Sequence, residues 1–461
     1  MNHIKNTTAT IICLLFTNIL LSQEMTLEQC REIALENNKK MAIAQKNQTK
    51  SDLTVKSTFT NFLPKLSASG MAYYTTSKFD HNLKIDDIQI FDPSPLRDYI
   101  PPIIYDFIDE KSKVVIPDMD FQFNMNNSYL VGANIDQPIY LGGKVRSGYK
   151  MSKIGSEIAD INIRKTEAEI INETDKAYWL YVQTLELQKS ANTYKETVAE
   201  FERVVKNAVD EGMKSRNDIM KVQVQLNQAN LQLHRAQNGV NLARMNLCQV
   251  LGLPLETIIT PTETLDDNLV EISYTLDISS RPEYEMLTKQ VELKNVEQRF
   301  VQSDFLPTVG VRGAYNYAYG VKLNDEVLLN NGGFSAMLSV SVPIFHWGEG
   351  ARKVQIAKAE TDIVDLQREE LNELMKLELQ QAINQYNELL LEVSMTEIAL
   401  EQAQENLRMS KDYYEEGLEN ISDYLEAQAI WQNAESEHII AKSKLRIGRT
   451  EYLRTAGKLE K

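Results

Sequence analysis

Proline and glycine are scarce in this chain, 12 and 19 of 461 residues. So few breakers favour long uninterrupted elements over many short ones joined by tight loops. Cysteine is scarcer still: beyond Cys13 near the N-terminus only Cys30 and Cys248 remain. One pair is no disulfide framework in a chain of this size, and both read as small buried hydrophobes. After the first two dozen residues no apolar run reaches the ~18 residues that mark a membrane-spanning helix. Basic charge is outweighed, with 49 Lys and Arg against 65 Asp and Glu. A net charge of −16 excludes a nucleic-acid partner, which needs a basic face, and leaves open a lumen that attracts cations. No Walker A loop, HExxH, paired CxxC or Gly-rich dinucleotide loop occurs. The histidines, His3, His81, His234, His346 and His438, are scattered singly. No catalytic residue, cofactor or metal ligand is therefore assigned, and the chain reads as something other than an enzyme.

What is present begins with an export signal. Lys5 precedes the apolar run 9–21, and Ser22 offers a small residue for cleavage. The run is too short to span a bilayer as a helix. Cys13 lies inside it and is not preceded by small residues, so no lipid anchor is expected.

The rest is written twice. Phe62-Leu63-Pro64 returns as Phe305-Leu306-Pro307, an offset of 243 residues, with Gly70 and Tyr74 matching Gly313 and Tyr317. Pro138-Ile139-Tyr140 returns as Pro343-Ile344-Phe345 at an offset of 205, and Glu211-Gly212 as Glu416-Gly417 at that same offset. Only the stretch between the first two anchors differs in length, by 38 residues. Repeat 1 is placed at 23–255, an acidic linker at 256–279 and repeat 2 at 280–461, after a signal peptide at 1–22.

Four runs alternate with period two, at about 65–76, 128–138, 308–320 and 333–343. Leu66, Ala68, Ala72, Val131, Ile135, Val311, Leu338 and Val340 fall on one face; Ser67, Asn134, Asp136, Arg312 and Asn316 fall on the other. Each run is close to the ~10 residues that a tilted strand needs to cross an outer membrane, with Tyr and Phe near the ends. Alternation by itself also fits a soluble sandwich. The polar face, carrying Asn, Arg and Asp, favours a water-filled lumen. Four strands cannot close a barrel, and open edges are not tolerated in lipid. Several copies must therefore combine; two would give a barrel plugged by its own side chains, three a conducting one. The Pro-rich stretch 78–126 between the first two strands reads as a long loop on the outer face.

Helices take the remainder. Residues 151–211 contain no proline and one glycine, a length of ~92 Å if continuous. Apolar residues recur at steps of three, four and seven, such as Ile154, Ile158, Ile161 and Ala168. Helical hairpins are expected at about 144–251 and 350–457, with single shorter helices over 26–58 and 282–302.

In this order the motifs resemble the TolC-like outer-membrane efflux protein family. The likeness rests on Thr26-Leu27-Glu28-Gln29-Cys30 through Asn38, the two Phe-Leu-Pro anchors, Gln137-Pro138-Ile139-Tyr140-Leu141-Gly142-Gly143, the Glu-Gly turns and Leu251-Gly252-Leu253-Pro254. It implies an α+β membrane protein: a TolC-type duct of two pseudo-repeats, each with a β-hairpin and long α-helical hairpins. The implied assembly is a homotrimer with a 12-stranded barrel in outer-membrane lipid and a periplasmic α-barrel. Its implied partners are a periplasmic adaptor (membrane fusion) protein and an inner-membrane pump of RND or ABC type. The implied location is the cell outer membrane, with most of the chain in the periplasm. A type I protein-secretion channel shares this architecture; a periplasmic coiled-coil scaffold is a reading from another class.

The resemblance also points to the hairpin turns that carry Gly212 and Gly417. Asp423 and Glu426, three apart and so on one helix face, match the family's acidic entrance ring. Tyr414 and Asp218 match its entrance latch. The family's basic latch residue falls at Glu419, with the sign reversed, so Lys214 or Arg216 is the expected positive partner.

Overall fold

In a computed structural model of the chain the described residues are 23–83, 87–114, 119–266 and 277–459. The expected signal peptide and residues 267–276 of the expected linker lie outside them. In chain order, β1 (Gln23–Met25) leads to α1 (Leu27–Asn37), α2 (Lys39–Phe59) and β2 (Lys65–Tyr73). An insertion follows: β3 (Lys78–Leu83), β4 (Ile88–Gln89), α3 (Pro102–Ser112), β5 (Lys113–Val114) and β6 (Met119–Asn124). Next come β7 (Ser128–Leu141), α4 (Lys144–Asp210), α5 (Arg216–Leu251) and β8 (Ile259–Pro261). The remaining elements are α6 (Pro282–Ser303), β9 (Thr308–Tyr319), β10 (Lys322–Leu323), β11 (Glu326–Val327), β12 (Asn330–Ser341), α7 (Glu349–Glu415) and α8 (Ile421–Thr455). Contacts divide the chain into two compact units: a helical one (Met1–Val55, Lys150–Val296, Lys358–Lys461) and a strand-rich one (Lys56–Tyr149, Glu297–Ala357).

The strand-rich unit is built on an antiparallel four-stranded sheet in the order β12-β9-β7-β2. Its register stacks the two predicted faces. Leu66 opposes Ile135, which opposes Gly313; Val131 opposes Tyr317; Val311 opposes Leu338. The apolar face is not covered: Leu66 is 80% exposed and Phe334 89%. An apolar face of this extent marks a surface built to lie against lipid or a partner, not water. Tyr129 stacks on Tyr319 at 5.0 Å between centroids, and Tyr315 meets Phe334 at 4.7 Å, giving that face an aromatic band. Pro138 cannot donate to a ladder, and a bulge between Pro138 and Tyr140 takes up the irregularity. Among the described residues no helix is long and apolar enough to cross a membrane.

Two expectations need correction. The stretch 78–126 is not simply a loop: β3 and β6 pair along their lengths and join β10 and β11 in a second four-stranded sheet. Its strands are short, and the prolines lie between them, around α3. The helix expected over 26–58 is two helices. Asn38 adopts extended backbone, its side-chain amide donates to the Val250 carbonyl at 2.9 Å, and its oxygen accepts from the Lys40 amide. A tertiary hydrogen bond breaks the helix where no Pro or Gly marks a break.

The helical unit is held by an apolar core around Tyr178, Trp179, Leu247 and Leu251 and by buried polar ties. β1 pairs in parallel with β8, next to which the Glu263 carboxylate accepts from the Leu27 amide at 2.9 Å and from the Tyr178 hydroxyl. Arg31 of α1 donates twice to Asp175 of α4, at 2.8 and 2.7 Å, and Thr450 of α8 adds a third bond at 2.7 Å. In the second half Glu378 of α7 accepts from Arg281 and Arg454 at 2.7 and 2.6 Å. Cys30 and Cys248 are free and buried, and burial pushes the Cys30 thiol up to about 12.

Asp175 has no solvent exposure, so removing its carboxylate strands a largely buried guanidinium. Asp175→Ala is expected to destabilise the fold by about 3 kcal/mol. Chemical unfolding of the detergent-solubilised protein, followed by circular dichroism, measures this; a loss within error of zero contradicts the assignment.

Candidate functional site at the hairpin turns

Each long helix ends in a glycine turn of the same construction. Gly212 has φ of +78° and Gly417 +77°, with open space where a Cβ would stand. The glycine is needed for its backbone angle; an L-residue there costs on the order of 1 kcal/mol. Met213 N–H donates to the Ala208 carbonyl, and Leu418 N–H to the Tyr413 carbonyl, both at 2.8 Å. These are the back-bonds of a helix terminus that closes in the left-handed region. The return helices start alike. Ser215 caps α5 and Asn420 caps α8, each accepting from the amide three residues on.

The caps differ in how they use the acid at that third position. Asp218 completes a capping box, its carboxylate accepting from the Ser215 amide at 3.1 Å and hydroxyl at 2.7 Å. The Ser215 hydroxyl bond holds the Asp218 carboxyl below the usual carboxylate range. Asp423 instead accepts from the Asn420 side-chain amide at 2.6 Å. Asp423 and Glu426 are both exposed, on the side of α8 away from buried Tyr424 and Leu425.

An aromatic cluster joins the two hairpins behind the turns. Tyr414 stacks on Tyr424 at 5.6 Å, and Phe201 meets their edges at 5.3 and 4.8 Å. Lys214 lies over the Tyr414 ring, 4.7 Å from its centroid. Burial, and then the charge of Asp218, push the Tyr414 phenol up. Lys221 of α5 donates to the Ser422 hydroxyl of α8 at 2.9 Å, a further link between the two hairpins.

Of the five expected latch residues, Tyr414, Lys214 and Asp218 therefore gather in one place. Glu419 and Arg216 do not join them. The Glu419 carboxylate accepts from the Ser410 hydroxyl across its own turn, and among the described residues it forms no ion pair with Lys214 or Arg216. Lys214 is held by Tyr414, and Arg216 stands exposed on the first turn of α5. The cluster of Phe201 and Tyr424 and the Lys221–Ser422 link escape a reading of the sequence, because they depend on how the hairpins pack. Among the described residues no three His, Cys, Asp or Glu side chains stand close enough to share a metal.

A family model described as outer membrane efflux protein matches residues 31–253 and 278–455. The alkaline protease secretion protein AprF of Pseudomonas aeruginosa is 24% identical over 267 residues, 54% of each chain. The chain thus spans about half the length of that relative. The CmeC outer membrane channel of Campylobacter jejuni superposes with a TM-score of 0.73 at 20% identity, over 94% of this chain and 86% of that one. The open state of the Neisseria gonorrhoeae MtrE outer membrane channel gives 0.72 at 18% identity, over 94% and 88%. These likenesses show the fold, a TolC-type α+β duct.

Asp218 has a folded-state pKa below its unfolded one. Its contribution to the first turn of α5 is present above the ordinary carboxylate value of ~3.9 and is lost as pH falls through the lower folded value. Asp218→Asn is expected to speed amide exchange at residues 215–218 at pH 7, with the difference between wild type and variant shrinking as pH falls through the Asp218 titration. Equal exchange at pH 7 contradicts the capping role.

Proposed function

The chain belongs to the outer membrane efflux protein family, and from that premise we propose that it is the outer-membrane exit duct of a tripartite efflux system. In this reading it conducts small molecules or drugs passively from the periplasm or an inner-membrane pump to the exterior. The observation that carries it is the sheet β12-β9-β7-β2, with an uncovered apolar face and one unpaired edge on each of β2 and β12. In hydrocarbon those edges must be paired. Three copies close them in a 12-stranded barrel wide enough to conduct. The assembly is then a homotrimer in the cell outer membrane, with most of the chain in the periplasm. It engages a periplasmic adaptor (membrane fusion) protein and an RND or ABC pump, which supplies the energy.

Asp423 and Glu426 form the entrance in this reading. A three-fold axis turns two exposed acids per chain into a ring of six, which attracts cations and is blocked by multivalent ones. Glu419, engaged by Ser410 in its own chain, finds its basic latch partner, Lys214 or Arg216, in a neighbouring subunit. A type I protein-secretion channel is the second reading, favoured by the likeness to a protein named for alkaline protease secretion. The two differ in cargo and pump, and crosslinking pull-down of adaptor and pump followed by cargo assays in a deletion strain separates them.

Planar-bilayer recording tests the duct and its gate together. Wild-type protein is expected to conduct with a cation preference and to be blocked by trivalent cations. Asp423→Asn with Glu426→Gln is expected to reduce that block about tenfold or more. Unchanged block would remove the gate assignment, and absence of any conductance would count against the duct.

A further inference from the structure

The four strands of the membrane sheet carry three charged side chains: Lys65 on β2, Asp136 on β7 and Arg312 on β9. They are far apart in sequence, yet the register sets them side by side. Lys65 opposes Asp136, and Asp136 opposes Arg312. The Arg312 guanidinium pairs with the Asp136 carboxylate. Lys65 is left with a neutral partner, the Asn61 side chain at 3.1 Å. On the next rung of the same face stand Ser67, Asn134, Ala314 and Ser335. The charges thus form one isolated row on the face opposite Leu66, Ile135 and Leu338.

We propose that this row is a charge filter inside the barrel, a belt that favours passage of anionic groups such as carboxylates and phosphates. The proposal rests on the trimeric duct reading above. Two cations and one anion leave one net positive charge per protomer. Repeated three times, the row becomes a closed belt of net positive charge on a wall otherwise neutral along the strands. A narrow aqueous bore set in low-dielectric surroundings focuses such a field on whatever passes. The belt opposes the sign of the chain as a whole, −16, and that of Asp423 and Glu426. The Asp136–Arg312 pair keeps the guanidinium on the lumen face in a fixed position, while Lys65 supplies the uncompensated charge.

Reversal potentials under a KCl gradient, recorded on the full-length trimer in planar bilayers, test the belt. Lys65→Gln and Arg312→Gln are each expected to raise the potassium-to-chloride permeability ratio roughly twofold or more, and Asp136→Asn to lower it. Arg312→Lys should leave it unchanged, since charge and not fork geometry sets the filter. The differences should shrink in ~1 M salt, where screening acts over ~3 Å. Should Arg312→Gln fail to assemble, Lys65→Gln decides the matter, because Lys65 leaves no carboxylate unpaired. Variants that conduct with an unaltered ratio, or that shift it in the opposite sense, overturn the belt and leave the duct standing. Wild-type protein that inserts without conducting overturns the duct, and the belt with it.

Discussion

Backbone hydrogen bonding in hydrocarbon governs this molecule. Every N–H and C=O in lipid must be paired, at a cost of several kcal/mol for each one left over. The four strands satisfy one another except along β2 and β12. Because the apolar face of the sheet is exposed, water cannot be the partner for those edges. In the trimeric duct proposed above, a single chain is an open segment of a structure completed by further copies. Closure also fixes which face becomes the lumen, since the polar face is the one without Leu66, Phe334 and Leu338.

The helical unit solves a different problem. Helices of 67 residues cannot bury a compact core, so apolar contacts are distributed in separate clusters. Beside the clusters, polar ties pin particular helices to each other. The Arg31–Asp175–Thr450 tie and the Arg281–Glu378–Arg454 tie each join elements remote in sequence, and loss of the central carboxylate, Asp175 or Glu378, deprives a mostly buried arginine of its partner. At the hairpin turns, by contrast, the links are an aromatic stack, a cation over a ring and a lysine–serine bond. These are individually weak and partly exposed, so the turns are the least firmly tied part of the helical unit.

Much of this was legible in the sequence because local chemistry dictates it. Gly212 and Gly417 mark the hairpin turns, and strict alternation announces strands whose faces the register then keeps. Reading failed where the determinant is tertiary. Asn38 breaks a helix by bonding to Val250, more than two hundred residues on. The second sheet pairs short segments of residues 78–83, 119–124 and 322–323, whose alternation is too brief to stand out beside the prolines. Glu419 was expected to meet a cation, but a serine nine residues back is nearer. Asp136 and Arg312 were visible as polar-face residues; that they are neighbours, with Lys65, depends on the pairing of strands from different repeats.

Closure as proposed sets β2 of one chain against β12 of the next. Its most direct test replaces Cys30 and Cys248 by alanine and walks one cysteine along Lys65–Tyr73 against a second along Asn330–Ser341. Oxidation in native outer membranes should give, in at least one register, covalent dimers and trimers that end at the trimer. If every register yields only monomer, or a ladder that continues past three, closure by three copies is wrong.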